Sequence, residues 1–262
     1  MNCQSIKIAI SGKGGVGKTT LSGTLARLFA RDRYKVIAID TDPDMNLHCA
    51  LGIKENPKPL SELKELIEER VGGTGGIYKL NPKVDDIVDN YSVTTSDGVK
   101  MLVMGTIEKG GSGCICPESA FLKAFLRYVF KSDYVVILDM EAGIEHLGRG
   151  TAKGVDLMIV VVEQGLQSIE TAMRIKNLSG DIGIKKLFAV INKVTDMDKI
   201  SIIENKLKEI GIPVIGKIPF DSNLINADLN GVAPIELNSS AIDAIKEIYK
   251  VVSRVQDDLI DT

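Results

Sequence analysis

The fold is decided by residues 12–20, Gly12-Lys13-Gly14-Gly15-Val16-Gly17-Lys18-Thr19-Thr20, which satisfy the pattern GxxxxGK[ST]. The stretch follows a strand-like apolar run and precedes a segment of helical periodicity, as a phosphate-binding loop requires. Glycines let successive backbone N–H groups turn toward phosphate oxygens, and the following helix presents its positive end to them. We expect Lys18 to contact the β- and γ-phosphates and the Thr19 hydroxyl to bind Mg²⁺. The whole stretch is therefore predicted to bind a nucleotide.

Short apolar runs rich in Val and Ile recur along the chain, with helical segments between them. Such runs suit strands that are buried on both faces of a parallel sheet. They predict a doubly wound α/β fold, with a mostly parallel sheet flanked by helices, in a single domain over residues 1–262 with an insertion at about 53–98. The predicted strands are Ile6–Ser11, Lys35–Asp40, Lys100–Met104, Val135–Met140, Leu157–Glu163, Leu187–Asn192 and Pro213–Ile218. The predicted helices are Thr19–Arg31, Glu118–Lys131, Ser168–Leu178, Lys199–Ile210 and Ala241–Val255.

The composition excludes several classes of protein. Lysine and arginine total 32 against 35 acidic residues, a net charge of -3, so no overall field favours nucleic acid or anionic lipid. No apolar run approaches the roughly 20 residues that span a bilayer, and the N-terminus lacks the basic and apolar regions of a secretory signal. Four cysteines in a chain of 262 residues do not form a disulfide framework. We expect a cytoplasmic protein with neither a membrane nor a nucleic acid as partner.

The loop carries a second lysine, Lys13, and with it the sequence resembles the deviant Walker A ATPases over nearly its full length. That group contains the Min and Par partitioning ATPases and the nitrogenase iron protein. The resemblance implies ATP hydrolysis by a homodimer in which Lys13 reaches across to the phosphates of the partner subunit. It implies catalytic roles for Lys13, Lys18 and Asp42. The alternative is an ordinary solvated loop lysine.

Carboxylates follow two of the predicted strands. Asp40 and Asp42 end the second strand, and Asp139 ends the strand that begins at Val135. Ligands bind at this carboxyl edge of a doubly wound sheet. By the resemblance, Asp42 would position or deprotonate the attacking water, Asp40 would support the magnesium shell and Asn46 would help to order a first switch. Asp139 fits the Walker B arrangement, in which a carboxylate holds magnesium through water.

The same resemblance extends to a second switch and to the base. Gly143 lies in the family's second switch and would sense the γ-phosphate through its backbone N–H. Asn192 matches the family's adenine-contacting asparagine, while Pro219 and Phe220 match its loop beside the base. Guanine specificity would favour Asn-Lys-x-Asp, whereas this chain has Asn192-Lys193-Val194-Thr195. ATP or ADP is therefore the predicted nucleotide.

A close cysteine pair, Cys114 and Cys116, precedes a predicted helix. Two thiolates can bind one soft metal ion but cannot complete a tetrahedral zinc site. The economical source of two further ligands is the same pair of a second subunit across a two-fold axis. Thiolates accept zinc, copper(I) or nickel, so the ligand set does not name the metal. The alternative is a pair of small buried side chains, and Cys3 and Cys49, which have no metal-like spacing, are interpreted as structural.

Four features in combination resemble the CooC-type ATPases that mature carbon monoxide dehydrogenase: the GKGGVGKTT loop, the IDTDPDMN segment, the cysteine pair and the LDMEAGIEHLGRG segment. The resemblance implies a nickel metallochaperone for that enzyme or for acetyl-CoA synthase. It implies Ni²⁺ or Zn²⁺ at the dimer interface, with a second copy of the chain and a nickel enzyme as partners. ATP would close the dimer, and closure would change the metal site.

Two other classes stay open. A partitioning ATPase would bind DNA or a protein partner through its ATP dimer, and DNA binding would need a basic surface. An iron–sulfur ATPase would also carry cysteines at a dimer axis, although the nitrogenase iron protein uses two well-separated cysteines per subunit. A basic amphipathic membrane anchor is disfavoured, because Ser239–Thr262 contains more acidic than basic residues.

Overall fold

The computed structural model describes residues 5–72, 79, 81–105, 117–141, 154–184 and 186–260. Its centre is one sheet, and each strand is a short apolar run of the kind that suits burial. The strands are β1 (Lys7–Gly12), β2 (Val36–Asp40), β3 (Val93–Thr94), β4 (Val99–Val103), β5 (Val135–Asp139), β6 (Leu157–Val162), β7 (Lys186–Val194) and β8 (Val214–Pro219).

The strands lie in the order β3-β4-β2-β5-β1-β6-β7-β8, and neighbours pair in parallel except for β3 and β4. Parallel strands bring their carboxyl ends to one edge of the sheet, where ligands bind in doubly wound folds. Asp40 at the end of β2 lies opposite Asp139 at the end of β5, and Asp139 lies opposite Ile10 of the central strand β1. The predicted mostly parallel, doubly wound α/β fold is confirmed.

Helices cover both faces of this sheet. Short 3-10 turns occur at Leu60–Glu62 and Pro234–Glu236. The α-helices within the described residues are α1 (Lys18–Arg31), α2 (Leu47–Leu51), α3 (Lys64–Val71), α4 (Ile87–Tyr91), α5 (Pro117–Phe130), α6 (Leu166–Ile182), α7 (Met197–Glu209), α8 (Ser222–Leu229) and α9 (Ser240–Ile260). No helix in this described part of the chain is long and apolar enough to cross a bilayer.

Two hydrophobic clusters, one on each face, hold these layers together. On one face Ile39 of β2 belongs to the same cluster as Phe121 and Phe125 of α5. On the other face Ala38 of β2 belongs to the cluster that contains Phe29 of α1. Each large side chain of this kind contributes about 1.5–3 kcal/mol by leaving water. Burial therefore fixes α1 against the sheet, and with it the loop that precedes the helix.

All predicted strands and helices are present, with ends shifted by a few residues. The sequence missed β3 and the short helices α2, α3, α4 and α8, because elements this short display little periodicity. Within the predicted insertion at 53–98, Ile67 of α3 and Ile87 of α4 pack into the same cluster as α5. The division into one domain with an insertion stays a prediction.

Candidate functional site

The loop between β1 and α1 passes very close to two neighbouring strands. Gly12 has a φ of 155°, and a Cβ there would collide with the carbonyl oxygen of Val161 on β6. Gly17 has a φ of 93°, and a Cβ there would collide with the side-chain amide of Asn192 on β7. Only glycine meets both demands at these positions. Gly12 and Gly17 therefore determine the path of the loop as well as permitting its backbone conformation.

The first turn of α1 is open to an anion. The helix begins at Lys18, and within the described residues no side chain caps its N-terminus. Its first backbone N–H groups carry the positive end of the helix dipole. A cavity of about 600 Å³ lies at this turn, a size that suits a nucleotide. The predicted residues that line it are Gly14, Gly15, Gly17, Lys18, Thr19, Thr20, Asp42, Asn46, Asn192, Pro219 and Phe220.

Lys18 is paired inside the protein. Its Nζ lies 3.7 Å from Oδ2 of Asp42, and its side chain is only 5% exposed. The same ammonium group donates to the carbonyl oxygen of Lys13 at 3.4 Å. A cation this buried needs a partner, and phosphate oxygens would compete with Asp42 for it. The structure thus brings the predicted phosphate-binding lysine and the predicted water-positioning acid into contact.

Asp40 and Asp139 are both fully buried at the carboxyl edge of the sheet. The two oxygens of Asp40 accept hydrogen bonds from the backbone N–H groups of Asp42, at 3.0 Å, and Leu47, at 2.9 Å. Oδ1 of Asp139 accepts from the hydroxyl of Ser22 at 2.9 Å. Oδ2 of Asp139 has no hydrogen-bond partner among the described residues. An unsatisfied buried carboxylate oxygen is uncommon and calls for a ligand.

Burial also makes these two carboxylates reluctant to ionise. Burial, together with the nearby carboxyl of Asp40, raises the pKa of Asp139 to about 7, against the opposing effects of the Thr19 and Ser22 hydroxyls and the Lys18 charge. Burial raises the pKa of Asp40 to about 6. A nearby divalent cation would favour both charged forms. Oxygen donors of this kind fit Mg²⁺, and the roles of Thr19 as a direct ligand and of Asp139 through water stay predictions.

Three site residues were not found from the sequence. Ser22 lies one turn after Thr19 on α1, a spacing that puts both hydroxyls on one face of the helix. That spacing is a signal that was available. Gln167 on α6 accepts a hydrogen bond from Nζ of Lys13 at 2.7 Å. Lys193 donates to the carbonyl oxygen of Gly15 at 2.6 Å, and no sequence pattern predicts these two distant pairs.

The predicted base-binding residues separate into two groups. Asn192 uses both ends of its amide within the chain: Nδ2 donates to the carbonyl oxygen of Val16 at 2.7 Å, and Oδ1 accepts from the N–H of Lys193 at 2.8 Å. Its observed contacts support the loop, and its contact with adenine stays a prediction. Phe220 is 50% exposed and lines the cavity beside Pro219, as a planar base would need.

The switch and metal predictions fall mostly outside the described residues. Asn46 is exposed, precedes α2 and lines the cavity. Gly143, Cys114 and Cys116 lie outside the described ranges. In the described part of the chain, no group of three or more His, Cys, Asp or Glu residues could hold a metal ion.

The structural interpretation of Cys49 is wrong in one respect, because its side chain is exposed rather than buried in the core. The thiol lines the nucleotide cavity, and its Sγ lies 3.2 Å from Nε2 of His48. Partial burial raises the pKa of the Cys49 thiol, with a further contribution from the Asp228 carboxylate. A raised pKa keeps the group a thiol near neutral pH and gives it little metal-binding character.

These features together define a P-loop ATPase with a mostly parallel sheet. Residues 7–235 match the family described as the CobQ/CobB/MinD/ParA nucleotide-binding domain, and the chain belongs to that family.

Two relatives show which kind of protein within this family the chain resembles. The chain is 46% identical to an uncharacterized ATP-binding protein of Methanocaldococcus jannaschii, over 96% of this chain and 99% of that protein. It is 41% identical to the carbon monoxide dehydrogenase accessory protein CooC of Rhodospirillum rubrum, over 91% of this chain and 92% of that one. The resemblance to CooC-type, MinD/ParA-like ATPases is thereby confirmed.

The fold agrees with a solved relative. The septum site-determining protein MinD of Pyrococcus horikoshii, complexed with Mg-ADP, superposes with a TM-score of 0.70 at 19% identity, covering 96% of this chain and 97% of that chain. At this level of identity the likeness concerns the fold alone.

Proposed function

We propose that this ATPase assists nickel insertion into carbon monoxide dehydrogenase, or into acetyl-CoA synthase, by coupling ATP hydrolysis to the handling of a thiolate-bound metal. The observation that carries the proposal is the 41% identity to the CooC accessory protein, which extends over 91% of the chain. The nickel enzyme is the client and the metal ion is the cargo.

Hydrolysis would use the contacts at the carboxyl edge of the sheet. Backbone N–H groups of the loop and Lys18 bind the phosphates. Thr19 and Asp139 would hold Mg²⁺, which would supply neutralisation of charge on the phosphates. When Lys18 turns from Asp42 to the phosphates, the Asp42 carboxylate is released to accept a proton from, or to orient, the attacking water. Asp40 holds the Leu47 end of the adjoining segment in place.

Lys13 would act between subunits. In the single chain its Nζ donates to Gln167 at 2.7 Å, a contact that a phosphate of the partner subunit would outcompete because charged acceptors bind an ammonium group more strongly than an amide does. Dimer closure would follow from this exchange. Asn46 and Gly143 would report the presence of the γ-phosphate to the neighbouring segments.

The cargo site would form at the two-fold axis. Cys114 and Cys116 from each of two chains supply four thiolates, which suits one Zn²⁺ in tetrahedral geometry or one Ni²⁺ in a more planar one. ATP-driven closure would draw the two pairs together, and hydrolysis would let them separate.

The experiment is an anaerobic Ni²⁺ titration of the full chain with ADP or ATP present, in which bound metal and particle mass are followed together. We expect one metal ion per two chains in the wild type, and none after Cys114→Ala with Cys116→Ala. The double variant Cys3→Ala with Cys49→Ala removes the same number of thiols and should bind metal as the wild type does. Equal binding by both double variants would contradict the proposal. Iron with acid-labile sulfide in the wild type would favour an iron–sulfur ATPase instead.

A further inference from the structure

We propose that Lys193 is a positioning residue for ATP, which fastens the phosphate-binding loop to the carboxyl end of β7. Its Nζ donates to the carbonyl oxygen of Gly15 at 2.6 Å, across 178 residues of chain. Gly15 is in the middle of the loop, has a φ of 77° and would otherwise be held only by its chain neighbours among the contacts described. Lys193 therefore restrains the middle of the phosphate-binding loop.

The backbone of Lys193 is shaped for this contact. Its φ is 55°, in the left-handed region that a side chain other than glycine rarely adopts. The pairing of β7 with β8 also shifts register between Ile191 and Val194. A bulge of this kind re-aims the side chains within it, and local strain persists where the surrounding structure requires it. Both irregularities fall at the residue that reaches the loop.

A second bond from the adjacent residue reinforces the first. Nδ2 of Asn192 donates to the carbonyl oxygen of Val16 at 2.7 Å, while its Oδ1 accepts from the N–H of Lys193. The C=O and N–H groups of a trans peptide point in opposite directions. Holding the carbonyls of Gly15 and Val16 therefore also sets the directions of the N–H groups of Val16 and Gly17. The loop is thus oriented for phosphate before the nucleotide arrives.

The ammonium group of Lys193 is itself held from a third element. Oε2 of Glu163, which follows β6, lies 3.7 Å from Nζ of Lys193. The N–H of Glu163 donates to the hydroxyl of Ser168 on α6 at 3.0 Å, which fixes the connection between β6 and α6. The pair Asn192-Lys193 lacks the aspartate with which an Asn-Lys-x-Asp motif recognises guanine. We therefore assign Lys193 to the phosphate-binding loop, which any nucleotide contacts, and not to recognition of the base.

The test compares steady-state ATP hydrolysis by the wild type, Lys193→Met and Lys193→Arg. Methionine keeps the length of the side chain but removes the donor, so we expect KM for ATP to rise about 5–10-fold, as the loss of one hydrogen bond from a partly exposed side chain predicts. The value of kcat should stay within about twofold, since the bond is made before and during reaction alike. Arginine retains a donor and should recover most of the loss in KM.

Lys217→Met is the matched control. Lys217 lies on the neighbouring strand β8 and pairs with Glu204 at 2.8 Å, and its side chain is 39% exposed against 44% for Lys193. It does not line the cavity. We expect wild-type KM and kcat from this variant. A thermal melt of all four proteins checks that each is folded under assay conditions.

Magnesium tripolyphosphate distinguishes loop positioning from direct contact with the base or the ribose. If Lys193 acts through Gly15, the inhibition constant of tripolyphosphate against ATP rises in Lys193→Met by the same factor as KM. An unchanged inhibition constant alongside a raised KM would mean that Lys193 contacts the nucleoside, and would overturn the proposal. An unchanged KM for ATP in folded Lys193→Met would overturn it as well.

Discussion

The two ends of the parallel sheet bury ionisable groups in opposite ways. At the amino end, Lys7 is 3% exposed, and its Nζ donates to the carbonyl oxygens of Ser132 and Tyr134. Its backbone N–H donates to Asp156 at 2.8 Å. At the carboxyl end, Asp139 is fully buried and keeps one oxygen without a partner among the described residues.

The buried lysine at the amino end of the sheet has a structural role, whereas we propose a functional role for the buried carboxylate at the carboxyl end. A buried polar group costs free energy unless it is satisfied, and the hydrogen bonds of Lys7 offset part of the cost of burying its ammonium group at the start of the strands. The unsatisfied carboxylate costs stability in the free protein, and the proposed binding of Mg²⁺ and a nucleotide there would recover that cost. Lys18 and Asp42, paired at 3.7 Å, follow the same logic under the proposed mechanism, because each would leave the other once phosphate is present.

The largest effect of a substitution is expected at the carboxyl end of the sheet, for Asp42→Asn. The change removes the group that orients or deprotonates the attacking water, so kcat for ATP should fall about 100-fold or more, with a small change in KM. Asp133→Asn makes the same substitution at the amino end, in an exposed ion pair with Lys35 that contributes little. It should leave kcat and KM unchanged. Steady-state assays decide the point, and an Asp42→Asn enzyme with near-normal turnover would refute the role.

A smaller effect is expected at Lys7, and it concerns stability. Burial lowers the pKa of Lys7 to about 8, so between pH 8 and 10.5 the unfolded chain binds more protons there than the folded chain does. The free energy of unfolding contributed by this lysine therefore rises with pH across that interval. Urea unfolding of wild type and Lys7→Met at pH 8 and pH 10 should show their difference changing by about 2 kcal/mol in favour of wild type. A difference independent of pH would show that the ammonium group is not desolvated.

The elements that the sequence predicted are those with a local signal. The loop at residues 12–20 has a pattern tied to one chemistry, and strands such as Val135–Asp139 are continuous apolar runs. Both are properties of neighbouring residues, so one chain is enough to find them. The two-residue strand β3 has no comparable pattern, and it forms because β4 offers it an edge.

The contacts that the sequence could not predict join distant residues. Gln167 meets Lys13 and Lys193 meets Gly15 only because β6 lies beside β1 in the folded sheet and β7 lies beside β6. Cys49 was interpreted as structural because it has no metal-like spacing, yet its exposure depends on how α2 meets the cavity. Spacing in the sequence indicates which nearby residues could share a ligand, but it does not indicate which side chains the fold leaves exposed.

Anomalous diffraction from crystals grown with Mn²⁺ and a non-hydrolysable ATP analogue tests the central claim most directly, namely that the unsatisfied carboxyl edge of the sheet is the ATP site. We predict one Mn²⁺ peak about 2.1–2.2 Å from Oγ1 of Thr19, a bound water between the metal and Oδ2 of Asp139, and Lys18 moved from Asp42 to the phosphates. A metal bound away from Thr19, with Oδ2 of Asp139 still unpartnered and Lys18 still on Asp42, would contradict the account.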